Sequence, residues 1–475
     1  MTIALTTGVT TPAAEARAPS RLALIVVLTG TFITVLDYFI ATVAVPAIQS
    51  GLSAGATTGQ LVVVGYGVTF SAGLILAGRI GDLYGRRRLF LLGMSLFALA
   101  SAGCGLSPNA TVLVVARIVQ GAGAALLVPQ VLGLIGTLYH GAGRARAFTA
   151  YGLVIGLAGV LGQVVGGALI TLDVGGLGWR LIFLVNVPVC AVALALVRVL
   201  PESRAESRGR LDLRGALLVG AALGLLIYGL VQGRAQGWPV SVRLCLGAAV
   251  VLAAITVAHL RARAGRDPLI EPALFGSRTF SLGLAATFAY FLAMGSFFVI
   301  LAYWLQRGRG LSALESGLVF MALGAGYFAC SLVVARRPAP TARRVAFGPV
   351  AVAAGYGLAG LVAVRLDAAS IWWLVLPLMV AGVGMGLATG PLSGLVMAAA
   401  PAEWAASASG LLNTAQEGGA TIGVAIAGLV FYPAASGGDY AVAFARTLVP
   451  LVAFCLVAAV LTACSSGRGR ATRST

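Results

Sequence analysis

The sequence predicts an all-α polytopic membrane protein: two related six-helix bundles with a further pair of helices inserted between them. Three observations carry that expectation. Of the 475 residues 59% are hydrophobic and 10% charged, against about 25% charged in an ordinary soluble domain. A chain this apolar, with mean hydropathy +0.99, cannot cover itself with polar surface. Fourteen mainly apolar segments then follow one another at 22–47, 58–80, 88–107, 110–135, 147–172, 180–200, 214–233, 241–260, 279–305, 312–335, 344–364, 371–399, 405–432 and 441–464. Each has about the 20 residues that cross a bilayer as a helix. Finally, the later segments repeat the earlier ones at a nearly constant spacing.

The order of elements follows. Residues 1–21 form a polar Ala/Thr-rich tail, and the first segment is too long for a signal-peptide core, so it is expected to stay in the membrane. Residues 22–200 make the first six-helix bundle, 201–278 hold linkers and the inserted segments 7 and 8, 279–464 make the second bundle, and 465–475 form a C-terminal tail. The repeat supports this division. "GLSA" at 51–54 returns at 310–313, Gly65 and Gly67 return as Gly324 and Gly326, Gly152 as Gly410, and Gly162 and Gly166 as Gly419 and Gly423, all at offsets of 257–259. Single glycine matches are weak, but the steadiness of the offset is not. Internal repeats of this kind mark transporters whose substrate site lies near mid-bilayer between the halves.

Charge sets orientation. All 32 basic residues are arginine. If both termini are cytoplasmic, 24 of them fall in or beside cytoplasmic segments and only six (180, 234, 243, 307, 309 and 365) outside, the bias expected of a positive-inside membrane protein. The net charge of +18 is therefore a topology signal spread over loops, and a nucleic-acid partner is not expected. The six cysteines are scattered through apolar segments without a C-x-x-C, so neither a disulfide framework nor a zinc site is expected. His140 and His259 sit at segment edges, at the interface.

The loop between segments 2 and 3, "GRIGDLYGRRRLFLLG" (78–93), packs four arginines and an aspartate between apolar runs. Topology anchoring accounts for the arginines, but not for an aspartate framed by glycines. The pattern G-x-x-x-D-x-x-G-R-R resembles the loop signature of the major facilitator superfamily. "VLDYFIATVAVPAI" (35–48), "ARIVQGAGAALLVP" (116–129) and "WRLIFLVNVPV" (179–189) resemble motifs of its fourteen-helix drug:proton antiporters. The resemblance spans nearly the whole chain and implies the major facilitator fold. It also implies that Gly78, Asp82, Gly85 and Arg86 form a latch holding the cytoplasmic ends of the two halves together in the outward-open state. Leu83 stands where that signature has a basic residue. "GVLGQVVGGAL" (159–169) is similar to the export motif of segment 5, with Gln163 in place of a proline. Proline would kink the helix; glutamine is expected to leave it straighter, with its amide facing the cavity or the other half.

Charges inside a membrane are costly and few. Asp37, Arg117 and Glu417 are the three that stand out. At 1.5 Å per residue, Asp37 and Arg117 share a depth slightly outside the midplane. They are either a static ion pair or a proton-coupling pair, and the resemblance implies the latter. Burial opposes the carboxylate's charge and a nearby arginine supports it, so a motion that changes their separation would switch proton occupancy. Glu417, one turn from Asn413, has no arginine at its depth, and is expected to be a second proton carrier or a contact for cationic substrate. Gln120 and Gln163 are candidate polar contacts for substrate. Tyr290, Met294 and Phe297 share a helical face and are candidates to line a cavity suited to loose recognition.

The sequence holds no H-E-x-x-H, G-x-S-x-G or phosphate-binding loop, so an enzyme is not expected. The expectation is a monomer needing no cofactor, driven by the proton gradient. It would export small lipophilic drugs or antibiotics across the cytoplasmic membrane by alternating access, with protons and lipid as its other partners. Two buried acids favour a monocation or neutral compound over a dication. The alternative is a proton-coupled importer of a small organic solute on the same fold, which the Gln163 departure keeps open.

Overall fold

In lipid no water is available to satisfy backbone N–H and C=O groups, so each apolar segment closes its hydrogen bonds internally as a helix. The computed structural model describes residues 21–139, 141–204, 212–264, 269–335, 341–365, 370–401 and 404–465. The expected tails, His140, most of the 201–213 linker and Arg336–Arg337 lie outside the described residues. Among the described residues, fourteen helices are long and apolar enough to cross a membrane. They are α1 Arg21–Gly51, α2 Ala56–Tyr84, α3 Arg86–Gly105, α4 Ala110–Leu138, α5 Gly141–Leu172, α6 Gly178–Val199 and α7 Leu213–Ala235. The rest are α8 Val240–Ala262, α9 Arg278–Gly308, α10 Ala313–Ala335, α11 Ala342–Arg365, α12 Ile371–Ala398, α13 Ala405–Ala435 and α14 Tyr440–Ser465.

Local chemistry sets several ends. Asn109 caps α4 by accepting from Val112 N at 3.0 Å, and Ser277 caps α9 through Phe280 N. Gly85 alone separates α2 from α3, at φ +112°, and a Cβ there would strike the Glu202 carboxylate; glycine is the residue that tolerates both. α6 is interrupted at Val185, three residues ahead of Pro188, which lacks the N–H a continuous helix would use.

The two halves pack alike. In the first, α1 lies on α5, α2 on α4, and α3 on α4 and α6; in the second, α9 lies on α13, α10 on α12, and α11 on α12 and α14. Gly93 and Gly123 let the α3 and α4 backbones touch, and Gly348 and Gly384 do so for α11 and α12, the small-residue contact that membrane helices use where no hydrophobic drive exists. The halves meet along two seams, α2 against α13 and α5 against α10. The inserted α7 covers the α2–α13 seam, and α8 packs on α7.

The even number of described spans brings the start of α1 and the end of α14 to one side, called here the termini side, opposite the far side. On the far side the halves are tied together. Gln306 Nε2 donates to Val43 O at 2.8 Å, Arg307 Nη2 to Pro46 O at 3.2 Å, and Leu314 N to Thr171 Oγ1 at 3.3 Å. On the termini side Ile75 touches Gly410, and beside that contact a crevice of about 140 Å³ runs between α2, α4 and the start of α13.

Candidate functional site

Asp37 and Arg117, on α1 and α4, meet in the core of the first half with both side chains fully buried. Arg117 Nη1 donates to Asp37 Oδ2 at 2.5 Å, and Nε donates to Val62 O at 2.9 Å. The guanidinium lies 4.4 Å from the Tyr66 ring centroid and 5.5 Å from that of Phe183, so two aromatic faces replace part of its lost hydration. Asp37 Oδ1 accepts from Gln120 Nε2 at 2.8 Å and from Asn186 Nδ2 at 2.7 Å. Both amides also donate to Ser101 Oγ, at 3.1 and 2.9 Å, and Ser101 donates its own hydrogen to Phe183 O at 2.9 Å. Asp37 is thus an acceptor only, fed by three N–H donors, and a buried carboxylate is tolerable only with such pairing.

Gln120, expected as a substrate contact, belongs to this network and is fully buried. Asn186 and Ser101 went unnoticed in the sequence. Asn186 had a signal: an amide in an otherwise apolar run, two residues ahead of a proline. Ser101 had none, since a lone serine is commonplace in a membrane helix.

Glu417 is half-buried on α13 and makes no ion pair among the described residues. Arg446 is exposed. Glu417 lies within electrostatic reach of Tyr38, Tyr66 and Tyr151 of the first half, so it faces the interface. Asn413, one turn earlier, lines the crevice together with Gly78, Asp82 and Arg86. Asp82 Oδ1 accepts from Arg86 Nη2 at 2.7 Å and Nε at 3.0 Å, and Arg86 Nη1 donates to Gly133 O at 3.2 Å. These bonds all lie within the first half, and the crevice separates them from α13.

Two expectations need correcting. The Gln163 amide faces neither a cavity nor the other half. It is fully buried and donates to Thr42 Oγ1 on α1 at 2.9 Å, while the Gln163 backbone lies against Gly317 of the other half. Tyr290 and Phe297 are turned away from the interface. Tyr290 OH pairs with Thr389 Oγ1 at 3.1 Å, and Phe297 stacks on Tyr356 with centroids 3.9 Å apart. Both are fully buried, and Met294 packs against the same core. The physical reason is area: large aromatic surfaces gain most where three helices enclose them. His259 sits in the last turn of α8, as its place at a segment edge implied, and its Nε2 lies 2.9 Å from Asp212 Oδ1.

Asp212 precedes α7 and its side chain is only 1% exposed. Burial pushes its carboxyl up, but hydrogen bonds from His259, Gly215 N and Leu269 N outweigh that and hold it below the usual carboxylate range. The cluster pins the α7–α8 hairpin beside Ile75 and Leu411 on the termini side.

The matching helix pairs, the two seams and the loop motif decide the family when set beside known sequences. The profile of the Major Facilitator Superfamily matches residues 27–424. The chain belongs to that superfamily. It is 36% identical over 421 residues to a Streptomyces coelicolor protein described as "Probable actinorhodin transporter", covering 86% of this chain and 72% of that one. It is 33% identical to a puromycin resistance protein of Streptomyces alboniger, covering 85% and 80%. Identity to a cephamycin export protein of Amycolatopsis lactamdurans is also 33%, covering 93% and 91%. Among solved structures, a POT family transporter in complex with 5-aminolevulinic acid superposes with a TM-score of 0.67 at 16% identity, covering 94% of this chain and 96% of that one, a likeness of fold alone.

Proposed function

We propose that this membrane transporter is a proton-driven antiporter exporting small lipophilic compounds of the antibiotic kind. The relatives named for antibiotic export and resistance support the substrate class. The arginine bias supports cytoplasmic termini in the cell membrane, which makes the state described here inward-facing: tied on the far side and creviced on the termini side. In the outward-facing state the Asp82–Arg86 latch closes onto the start of α13. The gradient alone drives the cycle, without a cofactor, and the working unit is a monomer. Import was kept open by the altered α5 motif, and α5 does run unbroken through Gln163; the relatives named for resistance and export support export.

One observation carries the reading: Asp37 is a fully buried carboxylate whose charge depends on three donors from two other helices, α4 and α6. Any rocking that separates α1 from α4 or α6 removes those donors, and the carboxylate must then take up a proton. Donors and proton thus exchange with conformation, which is the link an antiporter needs. One charge crossing 100 mV is worth about 2.3 kcal/mol, which supports a roughly 50-fold substrate gradient per proton at about 1.36 kcal/mol per decade. Glu417 serves either as a second proton carrier or as a substrate contact.

The test is substrate-induced proton release from purified protein in weak buffer. Asp37→Asn should abolish release while substrate still binds. Glu417→Gln should abolish it only if Glu417 also carries a proton. Undiminished release from Asp37→Asn would remove Asp37 as the coupling group.

A further inference from the structure

The Asp37 site holds an amide whose acceptor is unused. Asn186 is fully buried, and its Oδ1 has no hydrogen-bond partner among the described residues. Leaving a buried acceptor unmade is unfavourable, and this one lies on the same side chain whose Nδ2 touches Asp37. The network also fixes which way the amide points. Ser101 spends its hydrogen on Phe183 O, so both groups facing its oxygen must be donors, and Nδ2 of Asn186 faces Ser101 and Asp37 together.

We propose that Asn186, with Ser101, is a positioning pair that reads the proton on Asp37 by turning the amide. This rests on Asp37 being the coupling group. With Asp37 charged, Nδ2 donates one hydrogen to Asp37 and one to Ser101, as observed. Gln120 Oε1 already accepts from Arg117 Nη1 at 2.6 Å, so when Asp37 takes a proton its O–H finds no free acceptor in the arrangement observed. A half-turn of the Asn186 amide presents Oδ1 to that O–H. The Ser101 hydroxyl then swings from Phe183 O to Oδ1, and the released carbonyl belongs to the turn where α6 breaks, at Leu181–Leu184. No covalent bond changes; only hydrogen bonds are re-aimed. The proton on α1 is thereby registered in α6, which also packs on α3.

The other titratable or charged groups near Asp37 are Arg117 on α4, Cys104 on α3, Tyr66 on α2 and Cys190 on α6. Tyr38 of α1, Tyr151 of α5 and, across the interface, Glu417 lie further along the same electrostatic cluster. None offers Asp37 an acceptor in place of Asn186.

The experiment measures substrate-induced proton release against pH for wild type, Asn186→Ala, Ser101→Ala and Asp37→Asn, with tetraphenylphosphonium, a lipophilic monocation that does not itself titrate, as probe and folding checked by size exclusion. Asn186→Ala removes a charge-assisted donor from the charged form and a weaker neutral acceptor from the protonated one, so the pH of half-maximal release should still rise, by up to about one unit. Ser101→Ala deletes only a hydroxyl and frees the amide to turn, and its profile should move the same way by a smaller amount. A wild-type midpoint in folded Ser101→Ala overturns the proposal, whether or not Asn186→Ala folds. If Asp37→Asn itself releases protons as wild type does, the coupling reading fails first, which is a separable outcome.

Discussion

The two halves share their helix pairing but not their polar content. Carried across by the repeat offset of 259, Asp37 falls on Ser296, and at 258 Asn186 falls on Phe444. Ser296 merely donates to Leu292 O one turn back, at 2.7 Å. Around it the second half builds aromatic stacks, Phe297 on Tyr356 at 3.9 Å and Trp304 on Phe444 at 4.6 Å. The first half puts an ion pair and two amides at the same place. One fold therefore supports two interiors: a hydrogen-bonded one with alternative arrangements, and a close-packed one without. Bistability belongs to the first, since re-aimed hydrogen bonds cost little, whereas stacked rings in a dense core have nowhere to go.

The largest expected effects test that division directly. Phe297→Ala should lower stability by about 3–5 kcal/mol through the cavity it opens. Arg117→Ala should cost a similar amount, about 3–5 kcal/mol, by stranding a buried carboxylate. Thermal melting of the purified proteins would therefore barely distinguish them, but function would. Folded Phe297→Ala should still release protons on adding substrate, and Arg117→Ala should not. Equal loss of release in both would mean the aromatic interior is part of the coupling and the two halves are not divided as described.

How much of this was legible differs between the regions for a physical reason. Fourteen spans, the repeat and the loop motif could be read because lipid imposes length and polarity on each segment separately. The Asp37–Arg117 contact could also be read, since the two residues share a depth and few charges are available to pair. Asn186 and Ser101 matter only through three-dimensional convergence, which no single helix records. The Tyr290–Phe297 stripe misled for the complementary reason: periodicity says that one face is distinctive, not whether it meets a cavity, lipid or another helix. Gln163 misled because a side chain and the backbone beneath it can serve different neighbours.

A smaller effect sharpens the comparison at the interface. Asp82 bonds only within the first half in this state, so Asp82→Asn should leave abundance near wild type and lower transport several-fold by unbalancing the two conformations. Cysteine-accessibility labelling of the far-side cavity should shift in the mutant. If labelling is unchanged while transport falls, the aspartate acts elsewhere than in a latch.

The smallest effect concerns another buried carboxylate fed by N–H donors, Asp212. Like Asp37 it is buried and multiply bonded, but it sits at the rim of the bundle. Its oxygens accept from Gly215 N at 3.0 Å and Leu269 N at 3.1 Å, with His259 Nε2 at 2.9 Å. Because these bonds hold its carboxyl below the usual range, the charged form is favoured in the folded state. The stability this contributes is fully present above the ordinary carboxylate value near 4, and is lost as pH falls through the lower folded value. Asp212→Asn should thus melt lower than wild type at pH 7, by about 1–2 kcal/mol, and the gap should hold down to about pH 5. Below about pH 4 the wild type should lose stability faster than the mutant, and the two curves should converge. Parallel melting curves down to pH 3 would show that the amide replaces the carboxylate at no electrostatic cost. In that case the α7–α8 hairpin is held on its seam by the apolar contacts of Ile75, Leu269 and Ile270 instead of by this charge.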